Sequence, residues 1–314
     1  MTYRSLLIVC LATLGLAVAG WGQADGKIAF LSRHEGRSDV WIMNADGSVP
    51  INLTPGRHLQ CVSPAWSPDG TKIAYLAFDD LFDSDGVLYV DYSQGAIWVM
   101  DADGGNPQQV GYLVDPGSES GSEEIFWAED GSRIYYYRRG SPNELFAVEL
   151  GGSGSSPVDW KEGAGIARRF RDNRSPDGTK RADVVLQDDE GNAYLRLVSF
   201  APSEGPQPSK QIEDFSEILL PDLPYQQAEL EPGWERMSDP TTWSPDSMRI
   251  AFSAASEQGD DEIWVVDIDG SNLVNLTNGL GGRKPSWQPT TPAATSVEVQ
   301  SWGRIKARLS TGIH

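Results

Sequence analysis

Clustered carboxylates are the side chains of this 314-residue sequence whose types and spacing most directly suggest chemistry. Asp79, Asp80, Asp83 and Asp85 all fall within one short segment, residues 79–91. Calcium takes several hard oxygen ligands in proteins, and carboxylates supply many of them. These four residues therefore form a candidate calcium site. The alternative interpretation is an acidic loop exposed to solvent, and no other cofactor is predicted.

Two further pairs of carboxylates are spaced two residues apart and are followed by glycine. Asp101 with Asp103 and Asp267 with Asp269 lack the full spacing and the final glutamate of an EF-hand. An Asp-x-Asp-Gly sequence forms a tight turn readily, because aspartate bonds to nearby backbone and glycine accepts positive φ. We predict turns rather than metal ligands at these pairs.

Residues suited to nucleophilic or zinc chemistry are few. The histidines are His34, His58 and His314, and the cysteines are Cys10 and Cys61. The sequence contains no His-x-x-x-His spacing and no Gly-x-Ser-x-Gly motif. It therefore predicts no catalytic residues, no zinc site and a protein that is not an enzyme.

The charge balance restricts the class of partner. The chain has 25 Lys and Arg against 45 Asp and Glu, a net charge of −20. Nucleic-acid binding depends on clustered basic residues, so the composition argues against it. An acidic surface favours a basic partner, or one bridged by a cation.

The first 24 residues have the organisation of a secretory signal peptide. Arg4 precedes an apolar run from Ser5 to Ala19, and two small-x-small cleavage sites stand at or just after its end, Ala17-Val-Ala19 with cleavage before Gly20 and Gly22-Gln-Ala24 with cleavage before Asp25. An uncleaved anchor is the alternative. Cleavage would remove the apolar run and leave one cysteine, so no membrane span and no intramolecular disulfide are predicted. The expected location is the periplasm or the extracellular space.

Two short sequence patterns alternate along the chain. The first is built around Trp-Ser-Pro-Asp-Gly and recurs at 64–75, 125–136, 173–180 and 241–252. The second is built around Ile-Trp-Val-Met-Asp-x-Asp-Gly and recurs at 39–48, 96–105 and 262–271. Each pattern predicts β-prone residues next to a tight turn, so one pair of patterns supplies about four strands.

The repeat spacing predicts an all-β fold, a β-propeller of four-stranded blades over residues 25–290. Five blades are counted, or six if residues 200–240 contain a diverged one. The first copy begins at Lys27 without the tryptophan half, and the copy at 284–289 has only that half. We therefore expect the C-terminal strand to close the ring, which removes exposed sheet edges.

Most tryptophans fall at repeat positions and are predicted to pack between blades. Trp160 and Trp234 lie outside the pattern, so they are candidate binding residues on the surface. Asn52 and Asn275 begin Asn-Leu-Thr sequences that match glycosylation acceptors, but both stand at repeat ends, so the match is interpreted as accidental.

Residues 291–314 are predicted to form a linker and tail. The segment 297–309 carries Arg304, Lys306 and Arg308 in an otherwise acidic chain. It is either a frayed end with a short helix, since Trp302, Ile305 and Leu309 have helical spacing, or a docking or sorting peptide.

The repeats resemble those of the TolB family of WD40-like propellers. The family pattern is matched by Pro64–Tyr75, Ile97–Gly104 and Ile263–Thr277, and more weakly between 150 and 240, where Arg181-Ala-Asp183 replaces Ile-Ala-Phe. The resemblance implies a propeller-only relative that is exported and acts by binding other proteins, although the same repeat also occurs in non-catalytic domains of peptidases.

The predicted function is therefore a non-enzymatic protein-binding module of the cell envelope, monomeric, with an envelope or extracellular protein as its partner. The alternatives are a propeller hydrolase or lyase, a glycan-binding protein acting outside the cell, and an envelope scaffold.

Overall fold

The computed structural model describes the chain in segments. They are residues 26–58, 60–78, 80–82, 88–90, 95–113, 124–137, 145–151, 154–159, 173–188, 191–201, 211–224, 236–237, 241–256 and 260–290, of which 80–82, 88–90, 137 and 236–237 are described by their backbone alone. All regular secondary structure in these segments is β-strand. No helix with the length and apolar character to cross a membrane is found among them.

Twenty-two strands occur in the described segments. In chain order they are β1 (Lys27–Ser32), β2 (Asp39–Asn44), β3 (Ile51–Asn52), β4 (Gln60–Trp66), β5 (Lys72–Phe78), β6 (Asp80–Phe82), β7 (Leu88–Val90), β8 (Ala96–Asp101), β9 (Gln108–Tyr112), β10 (Ile125–Trp127), β11 (Arg133–Tyr137), β12 (Leu145–Glu149), β13 (Ser155–Pro157), β14 (Lys180–Gln187), β15 (Tyr194–Phe200), β16 (Ile212–Leu219), β17 (Arg236–Met237), β18 (Thr242–Trp243), β19 (Arg249–Ala255), β20 (Asp261–Asp267), β21 (Val274–Asn275) and β22 (Arg283–Trp287).

The strands form five four-stranded sheets and one hairpin in the described part of the chain. Sheet 1 has the order β22-β1-β2-β3, sheet 2 β4-β5-β8-β9, sheet 3 β10-β11-β12-β13, sheet 4 β16-β15-β14-β17 and sheet 5 β18-β19-β20-β21. Strands β6 and β7 form the hairpin, inserted between β5 and β8. All these pairings are antiparallel, which confirms the expected all-β fold of four-stranded sheets.

Sheet 1 joins the two ends of the described chain. Strand β22 pairs with β1, with Ile28 opposite Trp287 and Ala29 opposite Ser286. The Gln288 N–H donates to the Lys27 carbonyl at 2.7 Å, which continues the ladder beyond β22. The fragment at 284–289 therefore supplies the fourth strand that the N-terminal repeat lacks.

The described part of residues 200–240 adds strands to sheet 4. Strand β16 pairs along the whole length of β15, and β17 pairs with the far side of β14. Arg174, which precedes β14 in the sequence, forms an isolated antiparallel β-bridge with Arg181 in the first half of β14. The inner position of this sheet is thus shared by two short segments, one before β14 and one after β16 in the sequence.

The Ser-Pro-Asp-Gly sequence produces the turn between β4 and β5. Asp69 accepts hydrogen bonds from the Ser67 hydroxyl at 2.6 Å and from the Thr71 N–H at 3.1 Å. Gly70 has φ +68, which favours glycine, and donates its N–H to the Ser67 carbonyl. The Lys72 N–H donates to the Ser67 hydroxyl at 2.9 Å. The side chains of the turn thus hold its conformation through hydrogen bonds to its own backbone. This conformation brings β4 and β5 together as a pair.

The aspartates of these turns make the stability of the fold depend on pH. The Ser67 hydroxyl holds the pKa of Asp69 below its ordinary 3.8, and the Ser48 and Ser271 hydroxyls act likewise on the pKa of Asp46 and of Asp269. A carboxylate whose pKa is lower in the folded state stabilises the fold above its ordinary pKa, and that stability is lost as pH falls through the folded value.

We therefore expect the urea midpoint to fall as pH is lowered from 5 to about 3. Asp69→Asn should weaken this dependence, because an amide cannot be protonated in that range. The measurement is tryptophan fluorescence in urea at several pH values. Asp222→Asn removes an exposed carboxylate outside the repeat turns and serves as the control. Parallel pH curves for Asp69→Asn and the parent would contradict the assignment.

Three tryptophans of the first sequence pattern link neighbouring sheets through their indole N–H groups. Trp66 donates to the Ser286 carbonyl of sheet 1, and Trp127 donates to the Ala65 carbonyl of sheet 2, both at 3.0 Å. Trp243 of sheet 5 donates to the Asn173 carbonyl beside sheet 4, also at 3.0 Å. The same residue type thus packs against, and hydrogen-bonds to, the inner strand of the adjacent sheet.

Aromatic residues at another repeat position complete the packing between sheets. Phe30, Tyr75, Tyr136 and Phe252 are the fourth residues of β1, β5, β11 and β19, and each is at most 1% exposed. Burying each of these rings stabilises the fold by about 2–3 kcal/mol relative to leaving it in water. The core therefore lies in layers between successive sheets.

Sheet 4 departs from this pattern. Arg174 occupies the tryptophan position, and its guanidinium lies 3.5 Å above the centre of the Phe200 ring of its own sheet. Arg181 and Asp183 occupy the isoleucine and aromatic positions and form an ion pair of 3.3 Å, each about one third exposed. The register of β14 therefore follows the other repeats, while a charged layer replaces an apolar one.

Candidate binding surface

The antiparallel pairing places two kinds of connection at opposite ends of the sheets. The Ser-Pro-Asp-Gly turns join the inner strand to the second strand at one end, here called the turn end. At the other end, Ser32 lies opposite Asp39 and Gln60 lies opposite Phe78. This loop end contains the connections between second and third strands, and the entry into each inner strand.

A cavity of about 630 Å³ opens at the loop end, where sheets 1, 2 and 5 meet. We call it the mouth cavity. Nine of the side chains that line it are polar: Ser32, Arg33, His34, Ser38, Gln60, Asp260, Asp261, Arg283 and Lys284. Segments from three sheets contribute to it, so the cavity exists only in the folded arrangement.

The mouth cavity contains charges of both signs. Arg283 Nε lies 3.0 Å from Asp261 Oδ2, with side chains 58% and 35% exposed. An ion pair this exposed stabilises the fold by about 0–1 kcal/mol. Each of its two groups can therefore leave the pair and bind an opposite charge on a partner at little cost in free energy. The basic residues at this surface contrast with the acidity of the whole chain.

A bulge in each of two inner strands shapes the wall of the mouth cavity. Lys284 and Ser63 stand three residues before Trp287 and Trp66, and have φ of +50 and +55. The pairing register shifts at both places. A bulge bends its strand and redirects the side chains beyond it, here Arg283 and the residues before Ser63. The Lys284 N–H donates to the Ser253 hydroxyl at 3.0 Å, which ties this bulge to sheet 5.

A buried carboxylate supports the loop end of sheet 1. Asp39 is 1% exposed and accepts hydrogen bonds at 3.0 Å from the Thr54 hydroxyl and from the Asn52 side-chain amide. Asn52 Oδ1 accepts the Thr54 N–H at 2.9 Å, and the Thr54 hydroxyl also accepts the Val40 N–H. The amide of Asn52 is therefore engaged inside the repeat, which supports interpreting the glycosylation match as accidental.

Sheet 5 repeats this arrangement with a different acid. Glu262, also 1% exposed, accepts hydrogen bonds from the Thr277 hydroxyl and from the Gly279 N–H. Asn275 Oδ1 accepts the Thr277 N–H at 3.1 Å. Sequence reasoning missed these two carboxylates. The signal was their position, since each precedes a Val-Trp or Ile-Trp pair and lies about 15 residues before a repeat-end threonine.

The histidines and the cysteine of the described residues serve in packing. His34 lies edge-on to Trp41, with ring centres 6.1 Å apart, at the rim of the mouth cavity. His58 is 4% exposed and packs 4.9 Å from the Trp98 ring. Burial raises the pKa of the Cys61 thiol and of the Tyr75 hydroxyl to about 12, so both are protonated at neutral pH. A protonated buried thiol is a poor nucleophile.

The residues predicted from the sequence as site residues are not brought together in the described structure. Asp79, Asp83, Asp85, Trp160 and Trp234 lie outside the described residues, and Asp80 is described only as backbone in β6. Calcium binding and aromatic binding at these positions therefore stay predictions. Among the residues with described side chains, no group of three or more His, Cys, Asp and Glu is arranged to hold a metal.

Comparison with known proteins gives short matches to TolB proteins. The chain is 38% identical over 53 residues to the Tol-Pal system protein TolB of Methylobacillus flagellatus, covering 17% of this chain and 12% of that protein. It is 30% identical over 116 residues to an uncharacterised protein of Agrobacterium fabrum, covering 36% of this chain and 37% of that protein. The chain thus matches only a minor part of the length of these relatives. No protein-family model matches it.

Among solved structures, TolB from Acinetobacter baumannii is similar over 86% of this chain and 68% of its own, with 19% identity and a TM-score of 0.37.

Proposed function

We propose, starting from the similarity of these repeats to those of TolB-like proteins, that the chain is an exported protein-binding module of the cell envelope and not an enzyme. In this proposal, residues 1–24 direct export, residues 25–290 form a five-bladed propeller closed by β22, and residues 291–314 are a tail. The module acts as a monomer and binds its partner with the loop end of the sheets.

The mouth cavity is the observation that carries this proposal. Side chains from three sheets converge there, and exposed charges of both signs surround a volume large enough for several side chains of a partner. The two bulges and the buried carboxylates Asp39 and Glu262 hold the surrounding backbone in place. A rigid frame with exchangeable charges at its rim suits recognition of a protein surface, where charge complementarity sets specificity and association rate.

Substitution at the mouth cavity should weaken partner binding without unfolding the protein. The variant Arg283→Gln/Lys284→Asn removes two positive charges, and asparagine tolerates the positive φ of position 284. We expect at least one envelope protein to be captured by the immobilised parent and to bind the variant about tenfold more weakly. Quantitative mass spectrometry of captured proteins, followed by titration of the purified partner, measures this.

The matched control is Lys72→Gln at the turn end, where Lys72 pairs with Asp101 at 2.8 Å. It removes a positive charge at the opposite end of the strands from the mouth cavity. We therefore expect capture of the partner protein to be unchanged. Equal capture by parent, mouth variant and control would overturn the proposed surface. Hydrolysis or binding of members of a glycan or peptide panel, without a protein partner, would overturn the proposed function.

A further inference from the structure

Strand β16 forms a long open edge of sheet 4. It has eight residues, whereas the outer strands β3 and β21 have two, β13 has three and β9 has five. Proteins usually keep edge strands short, because a long edge offers a row of unpaired N–H and C=O groups to another strand. In the described part of the chain, no strand lies beyond β16. The geometry of the sheet therefore leaves room for a further strand here.

The backbone groups of alternate residues of β16 point away from sheet 4. The Leu220 N–H donates at 2.8 Å to the carbonyl that precedes β15, so the even-numbered residues direct their amides toward β15. The Phe215 N–H donates instead to the carboxylate of Asp214 at 2.9 Å. The N–H and C=O groups of Phe215, Glu217 and Leu219 therefore face outward, where an added strand would bind them.

Glu217 ends a row of charged side chains that crosses one face of the sheet. Asp183 of β14 lies opposite Arg196 of β15, and Arg196 lies opposite Glu217. A nitrogen of the Arg196 guanidinium is 2.7 Å from Glu217 Oε1, and the Glu217 side chain is 40% exposed. The charges thus alternate from strand to strand, and the row stops at the open edge with a carboxylate. A basic residue on an added strand would continue the alternation, since opposite charges directly across two strands attract.

The side chains on either side of Glu217 are apolar and exposed. Phe215 lies opposite Val198 and Leu219 lies opposite Tyr194, so both share the face that carries Glu217. Val198 is 6% exposed, whereas Phe215 and Leu219 are 55% and 51% exposed, because no strand covers them on the outer side. Apolar residues of an added strand, placed opposite these two, would remove that surface from water.

The charge of β16 separates the possible occupants of the edge. Residues 211–224 contain four acids and no Lys or Arg. In a second copy of this chain, the antiparallel register that pairs Phe215 with Leu219 would also set Glu217 opposite itself, which is unfavourable. The edge is therefore suited to a different chain that carries a basic residue between two apolar ones.

We propose that sheet 4 binds an extended segment of a partner protein as a fifth strand on β16, and that this segment has the pattern apolar-x-basic-x-apolar. The basic residue pairs with Glu217, the two apolar residues cover Phe215 and Leu219, and backbone hydrogen bonds along the edge add affinity. The mouth cavity is lined by residues of sheets 1, 2 and 5, so this is a second surface, independent of the one in the proposed function.

The synthetic peptide acetyl-Thr-Thr-Val-Thr-Lys-Thr-Val-Thr-Thr-amide carries this pattern and serves as the probe. Hydrogen exchange of the full chain is followed residue by residue by NMR spectroscopy. At saturating peptide, the amides of Phe215, Glu217 and Leu219 should exchange about tenfold more slowly than without it, because each gains a hydrogen bond. The even-numbered amides of β16 already bind β15 and should change little.

Exchange of charge tests the pairing with Glu217. The peptide in which glutamate replaces lysine should bind the parent about tenfold more weakly than the lysine peptide, since like charges across two strands repel. Glu217→Lys should reverse this preference. The matched control is Asp222→Lys, which makes the same change of charge just beyond the strand and should keep the preference of the parent. The urea midpoint of each variant verifies that it is folded.

N-methylation of the peptide tests strand addition itself. A methyl group on the lysine nitrogen of the backbone removes a donor that faces β16, so binding should fall about tenfold. A methyl group on the nitrogen of the next threonine points away from β16, so the affinity should stay within about threefold of that of the parent peptide.

Four outcomes would overturn the proposal. The first is unchanged exchange of the three outward amides at millimolar peptide, and the second is equal affinity of the parent for the lysine and glutamate peptides. The third is slow exchange of these amides in the protein alone at every concentration, which would show that the chain covers its own edge. The fourth is slow exchange that is lost on dilution together with a dimer in light scattering, which would assign the edge to a second copy.

Discussion

Replacing Trp66 by alanine should lower the free energy of unfolding by about 4 kcal/mol, which is close to the whole stability of many domains. The side chain is 6% exposed and lies where β4 packs against the inner strand of sheet 1. Truncating a buried tryptophan removes its transfer free energy and leaves a cavity that the surrounding strands cannot fill. The Ser286 carbonyl, which accepts the indole N–H at 3.0 Å, also loses its donor.

The conservative variant separates these two contributions. Trp66→Phe keeps an aromatic ring but no N–H, so we expect a loss of about 2 kcal/mol from the unsatisfied carbonyl and the smaller ring. Urea unfolding followed by circular dichroism measures both variants. Tyr112→Ala, which truncates an aromatic side chain that is 64% exposed, is the control and should cost less than about 1 kcal/mol. Losses for Trp66→Ala as small as those of Tyr112→Ala would refute the role of the indole between the sheets.

Deleting residues 283–314 should abolish cooperative folding. The deletion removes β22, so the buried residues Ile28 and Phe30 of β1 lose the strand beside them and the edge of β1 is opened. Trp287, which is 4% exposed, is lost as well, and a buried tryptophan alone is worth about 3–5 kcal/mol. Added to the loss of the strand beside β1, this is a large share of the roughly 5–15 kcal/mol by which domains are usually stable.

Gln288 adds to the effect of this deletion. Its side chain accepts the Lys27 N–H at 3.1 Å and donates to the Gly70 carbonyl at 2.7 Å, so it connects sheets 1 and 2 at the turn end. The control is deletion of residues 291–314, which leaves all five four-stranded sheets intact. We expect the shorter deletion to retain one cooperative transition in urea, and the longer deletion to show none and to aggregate. A cooperative transition in both would argue against closure by β22.

Much of the sheet structure could be predicted from the sequence, because it depends on interactions between neighbouring residues and because the same residues recur in each repeat. The Ser-Pro-Asp-Gly turn between β4 and β5 is held by hydrogen bonds among residues 67–72, so the same letters produce the same turn at each copy. The complementary fragments at Lys27 and at 284–289 predicted the pairing of β22 with β1. This long-range contact followed from counting repeat halves, without knowledge of the distance between them.

The candidate site was far less readable. The sequence directed attention to the acids of 79–91 and to Trp160 and Trp234, which lie outside the described residues. The mouth cavity depends on two distant parts of the sequence, residues 31–62 and residues 260–284, which sheets 1, 2 and 5 bring together. The sequence did not single out Asp39 or Glu262, and only the fold places each against a repeat-end threonine in a buried position.

The sequence by itself determined the type of element, the turns and the repeat positions of the tryptophans, because these depend on interactions between residues close in the chain. The tertiary structure alone decided which carbonyl each indole reaches, how Arg174 and the Arg181–Asp183 pair fit into sheet 4, and that β16 is a long, acidic, partly apolar edge. These features depend on which sheets become neighbours and which strand becomes outermost. Such relations arise when distant segments pack together to bury apolar surface, and no local pattern of residues records them.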